Sequence, residues 1–534
     1  MNQSNFISNT KNNLFLKFTD FIATHFKFIL CFVYFIGFFA RLYNLGNLPV
    51  GLNQDEAYAG YEAYSLLNYG FDSHGYTNPV YFISWGSGMN VLYSYLTIPF
   101  LLLTGNHLTA FAIRIPQAFF SCISLIVFYF LLDKLFHNKY KALLGLFIFA
   151  IAPWHIMLAH WGLESNIAPA FLLFGLFFWI KGIENSKFYI LSAILYGLSL
   201  YAYAPLWIAV PAILILQLIY SIYCNQFKWD KFFSIALVLL FLIALPLLLF
   251  ILINNGTLPE IKTGIFSIPK LLEYRGGEIS LQNIKVGIHN FFTLFTTQND
   301  QLIWNSTPRF GLYYKFSIIF IIIGLCSLAK TSIVNIKNRT YNPLLFIFIN
   351  IMVSIVFAIL ISNINVNKIN MIHIPLVICC IQGIITASSF FKKAIYPFVI
   401  LAYTFSFIVF LSFYFTSYNS EIKEPFQYGV EETVAAALSK TDSIICINSD
   451  IFYSNILFAT QIPVTNYLST VSYDPNLPYD FTPISFDRFV FGYDTNTLDN
   501  NYVYIIDNND LNDFTDKNFQ CDTYGNYSVA YYTN

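Results

Sequence analysis

The sequence predicts an all-α polytopic membrane protein with a small extracytoplasmic α/β domain at its C-terminal end. Three observations predict this. The 534-residue chain is 57% hydrophobic and 11% charged. Apolar runs long enough for a helix of roughly 20 residues to cross the hydrocarbon core recur as far as residue 416. The charge then divides: from Tyr418 onward there are 16 acidic and 4 basic residues, against 13 and 24 before it. Such asymmetry separates a water-facing body from a membrane-embedded one. No Lys/Arg cluster interleaved with aromatics occurs, so nucleic acid is not an expected partner.

The N-terminal segment, residues 1–25, is polar, carries Lys11 and Lys17, and leads into an apolar run without a small-residue cleavage site. It reads as a cytoplasmic segment before an uncleaved anchor. Apolar helices are expected near 26–44, 110–132, 141–158, 167–181, 188–204, 205–224, 232–253, 314–330, 342–362, 371–390 and 394–416, about eleven in all. The loops set orientation. With the N-terminus inside, alternate loops carry Lys134, Lys139 and Lys141, then Lys181 and Lys187, Lys228 and Lys231, Lys330, Lys337 and Arg339, and Lys392 and Lys393. Fifteen basic residues then fall inside and nine outside, as positive charge prefers.

Residues 90–104 are apolar but short, and Pro99 interrupts them. Counting them as a span would reverse every later loop, so they are expected as an interfacial or re-entrant helix within a first external loop, 46–109. Further external loops follow at 254–313 and 363–370, and residues 26–416 form one transmembrane module.

Residues 417–534 read as the soluble domain. Glu431–Lys440 has acids in its first turn and Lys in its last, as a helix favours. Ser443–Asn448 and Tyr502–Ile506 read as buried strands with a helix near 451–460 between them. No nucleotide loop or catalytic motif occurs there, so a structural or acceptor-contacting module is expected. The eight cysteines show no metal-ligand spacing; Cys446 and Cys521 share this domain, where a disulfide is an open option.

The predicted helix centres are nearly free of ionisable residues, while nine acids of the membrane part fall on the outer side: Asp55, Glu56, Glu62, Asp72, Glu164, Glu260, Glu273, Glu278 and Asp300. A transporter or flippase of a lipid-linked saccharide is the alternative reading, but transporters carry charges or broken helices at the midplane. Carboxylates at the outer boundary favour an enzyme whose substrate has a lipid tail and a polar head. Asp55-Glu56 follows the first span directly. His160 and Glu164, four residues apart, share a helical face, with Ser165 or Asn166 able to cap the next helix.

These residues resemble the GT-C glycosyltransferases, in the branch of protein O-mannosyltransferases and bacterial aminoarabinose-transferase-like enzymes. The resemblance rests on Asp55-Glu56, Pro79-Val-Tyr-Phe82, Trp85-Gly86, Arg114-Ile-Pro116 and Trp161-Gly-Leu-Glu164-Ser-Asn166. It continues through Trp304-Asn-Ser-Thr-Pro308 with Phe310-Gly311, and Asn367-Lys368-Ile-Asn370 ahead of Pro375, covering most of 26–390. One departure is a lone Glu164 where an Asp-x-Asp-like cluster is usual.

The resemblance implies transfer of a sugar from a polyprenyl-phosphate donor, with inversion, to a hydroxyl or amine of a protein, lipid or cell-wall glycan. The reaction would take place on the outer face of a bacterial cytoplasmic membrane. It implies Asp55 as general base, with Glu56 or Glu164 positioning base or acceptor. Lys368, His373, Arg275 and Arg309 are the candidates for the donor phosphate, with Arg41 and His160 in reserve. Tyr58, Tyr81, Trp85 and His160 are the candidate acceptor and sugar contacts. A divalent metal, Mg or Mn, is compatible with the family, although the lone Glu164 gives it a thin ligand set.

Overall fold

The structure, a computed structural model, describes residues 20–274, 279–361, 363–391, 395–475 and 481–533. Helices stand where the apolar runs place them. The membrane module consists of α1 (Phe26–Leu42), α2 (Gln54–Tyr69), α3 (Leu92–Leu103), α4 (Ala110–Phe136), α5 (Lys139–Ala150), α6 (Pro153–Ala159), α7 (Glu164–Glu184) and α8 (Phe188–Ser199). It continues with α9 (Leu206–Tyr223), α10 (Lys231–Asn254), α11 (Ile284–Thr297), α12 (Ser317–Asn338), α13 (Leu344–Leu360), α14 (His373–Phe390) and α15 (Ile395–Thr416). Among the described residues, seven helices are long and apolar enough to cross a membrane, or eight if α5 and α6 count as one span.

The run expected as one helix at 141–158 is two, meeting at 59°. Pro153 explains the break: proline has no N–H to continue the ladder, and it forces Ala152 before it into extended backbone. The bend buries Trp154 and delivers the His160–Leu163 turn to the same end of the bundle as α2. The short run at 90–104 forms α3, twelve residues with Pro99 inside, too short to span.

α2 is not a span. It begins where the Asn53 side chain accepts the Asp55 N–H at 3.0 Å and ends at Gly70, whose φ of +79° is the left-handed stop that glycine adopts without strain. Most of its length is nevertheless buried, including Glu56 and Glu62. Glu62 accepts from the Ser73 N–H and hydroxyl, and Asp72 accepts from the His74 and Tyr76 N–H groups at 3.0 and 2.7 Å. These two acids close the loop that follows α2.

The C-terminal domain contains α16 (Val430–Lys440) and α17 (Tyr453–Thr460) around a mixed seven-stranded sheet. Its strands are β1 (Ile445–Ile447), β2 (Ser472–Tyr473), β3 (Pro483–Phe486), β4 (Phe489–Phe491), β5 (Val503–Asp507), β6 (Gln520–Tyr524) and β7 (Tyr527–Tyr531), in the order β6-β7-β5-β1-β4-β3-β2. β1 runs parallel to both β4 and β5. The two strands expected from the sequence are therefore sheet neighbours at its buried centre, which is why they read as unbroken apolar runs. Cys446 on β1 and Cys521 on β6 are free thiols. Two strands lie between theirs, and at about 4.8 Å per strand that separation exceeds what a disulfide spans.

This domain rests on the loop that leads into α2. The Leu52 N–H donates to the Phe426 carbonyl at 2.7 Å, and the Tyr61 hydroxyl donates to the Ile462 carbonyl at 2.9 Å. Gly51 has a φ of +71°, and a Cβ there would overlap the Phe426 carbonyl oxygen. Gly51→Ala is expected to destabilise the protein by about 1–3 kcal/mol, from left-handed strain and lost backbone contact. Thermal unfolding in detergent, with protease cleavage near residues 417–430 as a second readout, measures this.

Candidate active site

The site begins at the first turn of α2. Asp55, its second residue, is half-buried, and its carboxylate accepts no hydrogen bond among the described residues. Protein packed around it strips away solvent, and this desolvation raises its carboxyl from the usual range to about 6. Its charge reaches Glu164, the first residue of α7, whose carboxylate accepts the Asn90 N–H. Two acids 109 positions apart in sequence thus share one corner.

Glu164 lines a cavity of about 390 Å³. Tyr81 and Asn90 from the first loop, Tyr203 and Trp207 around the start of α9, Phe357 near the end of α13, and Lys368 complete its main walls. One part is therefore apolar and formed by membrane helices, while the other holds the acids Glu164 and Glu273 and the Lys368 ammonium. Such a cavity has the shape of a site for a molecule with an apolar part and a polar part.

The acid beside Asp55 has a different environment. Glu56 is fully buried and paired with Arg114 of α4 through two parallel bonds, Nε to Oε1 at 2.8 Å and Nη2 to Oε2 at 2.9 Å. Oε1 also accepts the Gly162 N–H at 2.7 Å, and Arg114 donates to the Pro49 and Gly51 carbonyls at 2.7 Å each. Gly162 is needed where it stands, because a Cβ would overlap Tyr93. This pair fixes α2 against α4 and against the turn that starts α7, so it holds Asp55 and Glu164 in register.

Comparison with known proteins bears on the architecture. No family model matches the chain, and no curated protein matches it. Solved structures match in fold. ArnT from Cupriavidus metallidurans in the apo state gives a TM-score of 0.57 over 95% of this chain and 98% of that one, at 12% identity. The same protein bound to undecaprenyl phosphate gives 0.55 over the same shares, at 11% identity. The archaeal oligosaccharyltransferase AglB from Archaeoglobus fulgidus, in complex with an inhibitory peptide and a dolichol-phosphate, gives 0.52 over 82% of this chain and 64% of that one, at 12% identity. The chain has the GT-C fold.

Within this GT-C fold the remaining expected residues separate. Lys368 and Tyr81 line the cavity. His373 does not: it lies in a different, small pocket with Gln298 and Ile369, bonded to the Tyr313 hydroxyl and packed at a tilt against Trp154, ring centroids 4.7 Å apart. Arg309 is exposed and stacks on Phe310 at 5.3 Å, and Arg275 lies outside the described residues. Arg41 is buried inside the bundle, donating to the Gly37 and Ala150 carbonyls at 2.8 Å and facing His155. His160 is buried with its ring nitrogens on the Ile156 and Tyr43 carbonyls, at 2.9 and 3.3 Å.

Tyr58 is buried, with its hydroxyl on the Ile83 carbonyl at 2.5 Å. Trp85, in left-handed backbone at φ +45°, stands between Tyr58 and Tyr453 with centroids 5.5 and 5.4 Å away. Asn90, Tyr203, Trp207 and Glu273, all on the cavity wall, were missing from the sequence-derived set. Glu273 carried the signal of an outer acid; Asn90, Tyr203 and Trp207 sit in apolar surroundings that carry none. For a metal, Asp55 and Glu164 offer two carboxylates, and among the described residues no three His, Cys, Asp or Glu side chains form a ligand group. That set does not fit a caged divalent ion.

Arg114→Met is expected to destabilise the protein by about 3–5 kcal/mol, because it leaves the Glu56 charge buried without its partner. The double variant Arg114→Met/Glu56→Leu, which removes both charges, is expected to recover part of that loss. Thermal unfolding of the purified variants checks both.

Proposed function

We propose that this protein is an integral-membrane glycosyltransferase that moves a sugar from a polyprenyl-phosphate donor to an acceptor hydroxyl or amine, with inversion, on the outer face of a bacterial cytoplasmic membrane. One observation carries the reading. Asp55, whose carboxylate has no hydrogen-bond partner among the described residues, lies within charge range of Glu164, and Glu164 lines a cavity walled by membrane helices and by Lys368. The undecaprenyl phosphate bound to ArnT and the dolichol-phosphate in complex with AglB suggest the donor class by analogy, as molecules with a long apolar tail and an anionic head.

In the proposed reaction the donor phosphate lies toward Lys368, with the prenyl chain leaving between membrane helices. Asp55 takes the proton of the acceptor as its oxygen or nitrogen bonds to the anomeric carbon. The bond from that carbon to the phosphate oxygen breaks in the same displacement, and the lipid phosphate leaves with the electron pair. Glu164, which lines the cavity, positions the acceptor. Lys368 neutralises the departing phosphate. Glu56, held by Arg114, contributes by positioning Asp55. Tyr81, which lines the cavity, and Trp85, beside Tyr58, are the proposed sugar or acceptor contacts.

The pH dependence follows from the burial of Asp55. Its carboxyl is raised to about 6, so the base form predominates above that value and is lost as the pH falls through it. The acid limb of kcat/KM is expected at a midpoint of about 6 rather than near 4.

Sugar release from a labelled polyprenyl-phosphate sugar by the purified enzyme tests the reading. Asp55→Asn is expected to retain donor binding and lose turnover by about 10²–10⁴-fold, the usual worth of a positioned base. Equal turnover by wild type and variant would remove Asp55 from the role. Absence of turnover with any donor, together with donor movement across liposomes, would replace the transferase with a flippase.

A further inference from the structure

The C-terminal domain touches the backbone on which Asp55 is built. Ser454 and Asn455, in the first turn of α17, are buried. The Ser454 hydroxyl donates to the Gln54 carbonyl at 3.0 Å, and the Asn455 side-chain amide donates to the Leu52 carbonyl at 3.1 Å. These carbonyls belong to the residue preceding Asp55 and to the residue before its cap, Asn53. The neighbouring Leu52 N–H is held by Phe426, and Tyr453 packs on Trp85. Further along, α17 lies on α2 where Gly60 faces Phe458.

The arrangement has a physical consequence. Among the described residues no group donates to the Asp55 carboxylate, so what the protein holds is the backbone that carries it. That backbone is gripped on two sides: the membrane module holds it through Arg114, Glu56 and the Gly51 carbonyl, and the C-terminal domain holds it through Ser454, Asn455 and Phe426. Burial strips solvent from the Asp55 carboxyl at this joint.

We propose that the C-terminal domain is part of the catalytic apparatus, with Ser454 and Asn455 as positioning residues that hold the first turn of α2 and keep Asp55 aimed and shielded. This rests on the transferase reading above. The charged groups around the turn are few. Glu164 is the group whose field is linked to Asp55, Glu56 is neutralised by Arg114, and Glu431 at the head of α16 lies within charge range of that ion pair and of Glu432. Releasing the grip admits water beside Asp55 without removing a charge.

The experiment compares wild type with Ser454→Ala, Asn455→Ala and the hydroxyl-retaining Ser454→Thr in the full-length protein. With a polyprenyl-phosphate sugar, the two alanine variants are expected to lower kcat by roughly 10-fold or more, the scale of a small misplacement. Donor KM is expected to stay within about twofold, since neither residue lies on the cavity wall. The acid limb should move to lower pH, and Ser454→Thr should restore kcat and limb together. A second readout needs no turnover: pH-dependent carbodiimide labelling of Asp55, followed by peptide mass spectrometry, should show a midpoint that falls in the alanine variants.

A kcat and acid limb equal to wild type would overturn the proposal. So would a loss of activity that only tracks a lower melting temperature with an unmoved labelling midpoint. Failure of the transferase reading looks different: no donor is turned over by wild type, or Asp55→Asn remains active, whatever the labelling midpoints do. A labelling midpoint that shifts in that circumstance would still establish the grip on Asp55.

Discussion

A fully buried ion pair, Glu56 with Arg114, is the constraint on which the rest of the structure depends. Burying two charges is unfavourable unless the geometry is bidentate and the remaining donors and acceptors are satisfied. Here they are: Glu56 also takes the Gly162 N–H, and Arg114 also serves the Pro49 and Gly51 carbonyls. One ion pair therefore joins the start of the first loop, the helix carrying Asp55, a membrane helix and the turn before Glu164. The paired acid was expected near the chemistry, and the structure places it beside Asp55 with its charge already used.

The C-terminal domain completes the same joint from the water side. Its α17 donates to two carbonyls around Asp55, and Gly51 permits a backbone approach that no larger residue allows. The membrane module supplies the apolar cavity with Lys368 and Glu164, while the joint supplies the aimed carboxylate. A GT-C fold in which the soluble domain and the membrane module both grip one helix couples the two bodies mechanically.

How much was legible in the sequence follows from which forces are local. Helix positions were, because apolar runs must be satisfied inside the bilayer by their own backbone bonds. The central strands of the soluble domain were, because burial on both faces leaves unbroken apolar runs. The break at Pro153 was written in the residue but overruled by the hydrophobicity of its surroundings. Asp55 and Glu164 were readable as acids where acids are rare. Arg309, His373 and Arg41 were readable only as cations near the correct end of a span; nothing in a linear pattern tells that one stacks on its neighbour, one occupies a separate pocket and one faces into the bundle. Tyr203, Trp207 and Asn90 gave no signal because their role is to form a wall.

The sequence by itself determined that the protein is a multi-pass membrane protein, where its helices run, and which carboxylates stand at one end of the bundle. Hydrophobic length and charge placement are properties of contiguous residues, so they are visible in one dimension. Only the tertiary structure decided that Glu56 is neutralised by Arg114, that Asp55 comes within charge range of Glu164, that Lys368 rather than His373 lines the cavity, and that Ser454 and Asn455 reach the backbone beside Asp55 from some 400 residues away. Each of these is a pairing between distant segments, set by how helices pack and not by the spacing of residues along the chain.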